Sequence, residues 1–94
     1  MDRDFGSFVW NVEKEAANIR KHGVDFEAAT RAFTDPHRRI YTDAGHGETE
    51  KRLFCLGKVG GRVLTVRFTY REGRIRIYGA GYWRKGRHYY ETSG

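Results

Sequence analysis

The sequence predicts an α+β domain in which two N-terminal helices pack on a three- to four-stranded antiparallel sheet, followed by a short C-terminal helix or tail. Three observations carry this. Apolar residues recur at helical spacing between capping residues in the first third of the chain. Residues 52–81 are rich in β-branched and aromatic side chains, and only short glycine-bearing turns divide them. The 94 residues suit one domain, over 1–94, with one modest core.

In chain order, Phe8-Val9-Trp10 reads as a small strand or a staple ahead of the first helix. Asn11 is that helix's N-cap, and Val12, Ala16 and Ile19 supply its apolar side. His22-Gly23 ends it, because glycine accepts the left-handed backbone just past a helix terminus; His22 reads as structural, its ring packed under the second helix. Asp25 caps the second helix, which carries Phe26, Ala29 and Phe33 on one side. Asp35-Pro36 ends it, since a residue before proline avoids the helical region. Residues 38–41 form a loop or weak strand before the polar tract TDAGHGETE.

RLFCLG, RVLTVRFTY and RIRIYGAG then read as strands, and the turns at Gly60-Gly61 and Glu72-Gly73 are short enough to force antiparallel pairing. Period-two alternation sends Leu64, Val66, Phe68, Tyr70, Ile75 and Ile77 to the face that takes the helices. Val63, Thr65, Arg67 and Thr69, with Arg74, Arg76 and Tyr78, fall on a second face that is wet and arginine-bearing. YWRKGRHYYE closes the chain as a basic, aromatic helix or loop.

Several chemistries are excluded. Cys55 is the only cysteine, so no internal disulfide forms, and its place within a strand makes it a small core residue. His22, His37, His46 and His88 lack ligand spacing, so neither metal nor cofactor is expected. No phosphate loop or nucleophile elbow occurs. No apolar run suits a membrane span, and MDRDFGSF lacks the layout of a signal peptide, so a cytoplasmic protein with no membrane partner is expected.

The net charge of +6 is unevenly spread. Residues 1–50 carry seven Lys/Arg against ten Asp/Glu, a balance of −3, and residues 51–94 carry eleven against two, a balance of +9. Such polarity points to a polyanionic partner, nucleic acid ahead of membrane, with a merely solvated basic surface as the alternative. Arginines on a sheet face grip phosphates, and rings interleaved with them stack on unpaired RNA bases. The expected contacts are Lys51, Arg52, Arg67, Arg74, Arg76, Trp83, Lys85 and Arg87. Trp10, Phe54, Phe68 and Tyr70 are assigned to the core.

WNVEKEAANIRKHGVDFEAATRAFTDP, with Trp10, Lys14, Asn18, the run Lys21-His22-Gly23-Val24 and Phe26, resembles the opening of the BrnT family. GHGETEKRLFCLGKVGGRVLTVRFTY is similar to that family's central loop and strand, and RIRIYGAGYWRKGRHYYE to the terminal block of one subgroup. The three pieces cover residues 8–91 in order. The resemblance implies a RelE-like fold and a ribonuclease that arrests translation, the toxin of a bacterial type II toxin–antitoxin module. It further implies a BrnA-like antitoxin with a ribbon-helix-helix domain, and operator DNA reached only through the antitoxin complex.

In RelE-like enzymes, sheet cations, an arginine after the last strand and a tyrosine six residues beyond it perform metal-independent RNA cleavage. The resemblance thus implies Arg62 and Arg84 as phosphate stabilisers, Lys51 or Arg52 assisting, and Tyr90 stacking or relaying a proton. His46, Glu50 and His88 are the acid–base candidates, their ordinary pKa values lying nearer the useful range than those of lysine or arginine. The chain departs from the commoner ending, which has serine-alanine-arginine where Gly79-Ala80-Gly81 stands. Two rival classes stay open: a non-catalytic nucleic-acid-binding module, and an interaction protein whose basic face receives an acidic antitoxin segment.

Overall fold

Among the described residues, six strands, two of them ahead of the helices, form one mixed sheet. The computed structural model of the chain describes residues 1–43 and 51–92. The strands are β1 (Asp2–Phe5), β2 (Phe8–Asn11), β3 (Arg39–Thr42), β4 (Arg52–Val59), β5 (Arg62–Arg71) and β6 (Arg74–Gly81). The helices are α1 (Val12–His22), α2 (Phe26–Arg31), which runs into a 3-10 turn over Ala32–Thr34, and α3 (Arg84–Thr92). The sheet order is β1-β2-β6-β5-β4-β3, with β2 parallel to β6 and every other pair antiparallel.

This corrects the expected RelE-like arrangement of two N-terminal helices on a three- to four-stranded antiparallel sheet; the class remains α+β. The reason is physical. β1 reads DRDF and is exposed at every residue, so it carries no burial alternation. β2 is four residues long and meets β6 in parallel, Phe8 opposite Ile75, across most of the chain rather than across a turn. The two predicted turns do join β4–β5 and β5–β6, and the positive φ of Gly60, Gly61, Glu72 and Gly73 matches the twist of a tight hairpin.

The helix ends follow the sequence. Asn11 Oδ1 accepts the Lys14 amide at 3.0 Å, and Asp25 Oδ1 accepts the Ala28 amide at 2.7 Å. Gly23 adopts φ 70° and donates to the Ile19 carbonyl. The inner side of α1 differs from the expected one: Ile19 is 45% exposed, and the buried residue is Asn18. A polar side chain can be buried there because both its amide protons and its carbonyl oxygen find partners. Nδ2 donates to the carbonyls of Val24 and Ala80, both at 2.9 Å, and Oδ1 accepts the Ala80 amide at 3.1 Å. Glu15 likewise accepts from Trp10 Nε1 at 3.0 Å and from the Phe26 amide at 2.9 Å.

The core includes Trp10, Phe26, Cys55, Leu64, Val66, Phe68 and Ile77, all fully buried. Burying each large apolar side chain is worth about 1.5–3 kcal/mol. Burial also pushes the Cys55 thiol up to about 12, which makes it unreactive at neutral pH. Tyr70, expected in this core, is 56% exposed near the end of β5. A bulge between β5 and β6 pairs Arg67 with Gly79 and Phe68 with Ile77, leaving Tyr78 as the extra residue.

Candidate nucleic-acid interface between the sheet and the C-terminal helix

Helix α3 lies on β4 and β5, against the second face of the sheet. Its close approach depends on Gly86, where a Cβ would stand 1.9 Å from Thr65 Oγ1. Docked this way, α3 sets its basic side beside the β4–β5 hairpin. A cleft of about 520 Å³ results, lined by Lys58 and Arg62 from the hairpin, Tyr82 and Trp83, and Arg84, Arg87 and Glu91 from α3. The Arg62 guanidinium stacks on the Tyr82 ring, 4.1 Å from its centroid, which holds it in place before any ligand arrives. Four cations around one concavity create a field that draws in an anion.

The cleft gathers the expected residues Arg62, Trp83, Arg84 and Arg87. It also holds two that sequence reasoning missed. Lys58 lies across the hairpin, opposite Val63, and Glu91 lies seven residues after Arg84 on the same side of α3. Placing α3 as a helix from Arg84 would have exposed the Arg84, Arg87, Glu91 pattern.

Tyr90 points elsewhere. Its hydroxyl donates to Asp35 Oδ2 at 2.7 Å, and Asp35 also accepts the amides of Lys58 and His37, each at 2.8 Å. Burial pushes the Asp35 carboxyl up, but these three donors together hold it below its ordinary value. The same bond, aided by burial, pushes Tyr90 up and keeps its proton in place. Tyr90 therefore ties α3 to the end of the 3-10 turn, with the Lys58 ammonium 6.0 Å from its ring centroid.

The other expected contacts separate into distinct groups. Arg52 and Arg67 both lie over the Tyr78 ring, 5.1 and 5.5 Å from its centroid, and burial pushes the Tyr78 hydroxyl up. Arg74 is hydrogen-bonded to Asp4 and donates to the carbonyls of Gly6 at 3.0 Å and Phe8 at 3.1 Å. Arg76 pairs with Asp2 at 2.8 Å, and this bond lowers the Asp2 carboxyl. Strand β1 thus neutralises two of the arginines counted in the basic half. Lys51 is exposed, and its carbonyl accepts from Thr69 Oγ1 at 2.6 Å. Lys85 lines a second groove, and His88 is exposed beside Tyr89. His46 and Glu50 lie outside the described residues.

His22 meets Trp83 rather than packing under α2: the rings are perpendicular, with centroids 5.1 Å apart. A Cβ at Gly81 would stand 2.6 Å from Trp83 Cε2, so the indole occupies the space a side chain at 81 would need. Glycine at this position therefore has a steric cause. Among the described residues no helix is long and apolar enough to cross a membrane, and no three His, Cys, Asp or Glu side chains gather as a metal site would require.

In this α+β protein the cation-lined cleft between the sheet and the last helix has the charge to suit an anionic ligand. Residues 10–86 match the family described as the ribonuclease toxin BrnT of type II toxin–antitoxin systems, and the chain belongs to that family. Membership implies RNA as substrate and an antitoxin as partner. Comparison with curated proteins gives no match. The matched span includes Arg62, Trp83 and Arg84 and stops short of Arg87, Tyr90 and Glu91. Many of the residues that carry the resemblance are scaffolding: Trp10, Val24 and Phe26 are core, Asn18 joins α1 to β6, and Gly23 ends α1.

Proposed function

We propose that this chain is a metal-independent endoribonuclease that cuts mRNA in the cytoplasm and is neutralised by a BrnA-like antitoxin with a ribbon-helix-helix domain, operator DNA being reached only through that complex. The observation that carries the proposal is the convergence of Lys58, Arg62, Arg84 and Arg87 with Glu91 in one cleft. In the reaction the 2′-oxygen attacks the adjacent phosphorus and the P–O5′ bond breaks. The products are a 2′,3′-cyclic phosphate and a free 5′-hydroxyl. A base takes the 2′-proton, fixed cations stabilise the extra charge on the phosphorane, and an acid protonates the departing 5′-oxygen.

Arg62 and Arg84 stabilise the phosphorane, with Lys58 and Arg87 holding the phosphate; Arg62, already stacked on Tyr82, needs no rearrangement during the reaction. Glu91 joins His46, Glu50 and His88 as an acid–base candidate, and it is the carboxylate that lines the cleft. Arg52, Arg67 and Lys85 contact the strand further along the sheet.

Incubation of purified protein with single-stranded RNA in EDTA tests this. Cleavage that persists in EDTA, ends in a cyclic phosphate, and is lost in Arg84→Ala and Glu91→Gln is the expected result. Metal-dependent cleavage overturns the mechanism. Tight RNA binding with no product at high protein concentration would instead make the chain a non-catalytic RNA-binding module.

A further inference from the structure

Trp83 lines two cavities. One is the cationic cleft; the other is a groove of about 640 Å³ whose walls include Tyr41, Phe54, Leu56, Trp83 and Tyr89. The two differ in chemistry. The cleft presents four cations, whereas the groove is mainly aromatic and aliphatic, with Lys85 and Asp43 as its charged residues. The indole they share is fixed in place: a Cβ at Gly81 would stand 2.6 Å from it, and its ring is perpendicular to that of His22. A half-buried tryptophan so positioned is a rigid partition with an anion site beside it.

We infer that the groove is a nucleobase site. One unpaired base of an RNA strand enters it and stacks on Trp83, while the phosphate attached to that nucleotide lies in the cationic cleft. The occupant follows from the two cavities meeting at Trp83. A ligand filling both must join a flat apolar group covalently to an anion, which is the constitution of a nucleotide. Base–aromatic stacking tolerates any sequence, because every base has a π-face. It also demands a base free of its partner, so a duplex is refused. The inference rests on the RNA-directed reading above and adds that affinity depends on bases as well as on phosphates.

Intrinsic fluorescence supplies the test, because the chain has two tryptophans and the other, Trp10, is fully buried with its Nε1 bonded to Glu15. Quenching by a stacked base therefore reports Trp83. The probe is a short single-stranded RNA with methylated 2′-oxygens, which cannot be cleaved. It is compared with the same strand made abasic, with its duplex, and with inorganic polyphosphate. The expected result is quenching by the intact strand and binding roughly 5- to 150-fold tighter than the abasic strand. Trp83→Tyr retains most of this preference and Trp83→Leu abolishes it. Should Trp83→Leu fail to fold, the abasic comparison on the unaltered chain still decides. Equal affinity for intact and abasic strands, or binding without quenching, overturns the base site and leaves the RNA reading standing. If no RNA binds even at low salt, both fall.

Discussion

Asn18 and Ala80, 62 residues apart, hold each other by two hydrogen bonds, from Nδ2 to the Ala80 carbonyl and from the Ala80 amide to Oδ1. With the bond to the Val24 carbonyl, one buried amide joins α1, the loop after it and the last strand. Asn18→Ala leaves three backbone groups without partners. The expected loss is about 2 kcal/mol or more, lowering Tm by roughly 10 °C. Asn18→Asp is worse at neutral pH, since a carboxylate then faces two carbonyls. Its folded pKa is raised above the unfolded value, so it is best tolerated below about pH 4 and loses stability as pH rises through the raised value. Thermal melts of both variants across pH check this, and a Tm for Asn18→Asp that rises with pH relative to the parent would refute the assignment.

The tie between Tyr90 and Asp35 predicts two separate pH limits. The folded Asp35 carboxyl is held low, so its contribution is present above the unfolded value of about 3.9 and is lost as pH falls through the lower folded value. Tyr90 is raised, so its share is present below about pH 10 and is lost as pH climbs through the raised folded value. Asp35→Asn should lower Tm at pH 7 by about 4–8 °C, for about 1 kcal/mol, and flatten the fall in stability below pH 4. Tyr90→Phe should leave most of that acid limb, because the Lys58 and His37 amides still bind Asp35, while reducing the alkaline one. Parallel acid limbs for the parent and Asp35→Asn would show that the carboxyl contributes nothing.

Packing of the 3-10 turn on β4 gives a sharper steric prediction. A Cβ at Gly57 would stand 2.2 Å from the Ala32 carbonyl oxygen, and backbone cannot yield as a flexible side chain can. Gly57→Ala should therefore cost about 1–3 kcal/mol, the usual range for overpacking, although alanine suits an extended backbone. Urea denaturation measures it. A midpoint equal to the parent's would mean that the turn and the strand separate easily.

Features decided by one or two residues were legible in the sequence. Asn11, Gly23 and Asp25 each settle a helix end alone, and the hairpin turns settle their own pairings. What depends on distant partners was not. β1 has no apolar rhythm, and its role appears only when Asp2 and Asp4 meet Arg76 and Arg74. The interface was half legible for a geometric reason. The resemblance picked out Arg62 and Arg84 and charge picked out Arg87, but spacing along the chain does not reveal the side of a helix. At about 100° per residue, Arg87 and Glu91 stay on the side of Arg84, whereas Tyr90 lies about 240° around. Hence Tyr90 reaches Asp35, while Glu91, which carried no motif, lines the cleft.

Salt dependence should separate the arginines in the cleft from those engaged by β1. Binding to single strands loses counterions in proportion to the phosphates neutralised, with a slope of about 0.7 per contact on logarithmic axes. Arg62→Ala or Arg84→Ala should each reduce the slope by about 0.7 and weaken binding across sequences. Arg74→Ala and Arg76→Ala should change it far less, because their guanidiniums are occupied by Asp4 and Asp2. The reverse experiment is more telling. Asp2→Asn together with Asp4→Asn releases two cations and should steepen the slope and tighten binding. These ion pairs are partly exposed and screened by solvent, so folding stability should change little for each. If Arg74→Ala matches Arg84→Ala in slope, RNA crosses the sheet towards β1 instead of lying along the α3 cleft.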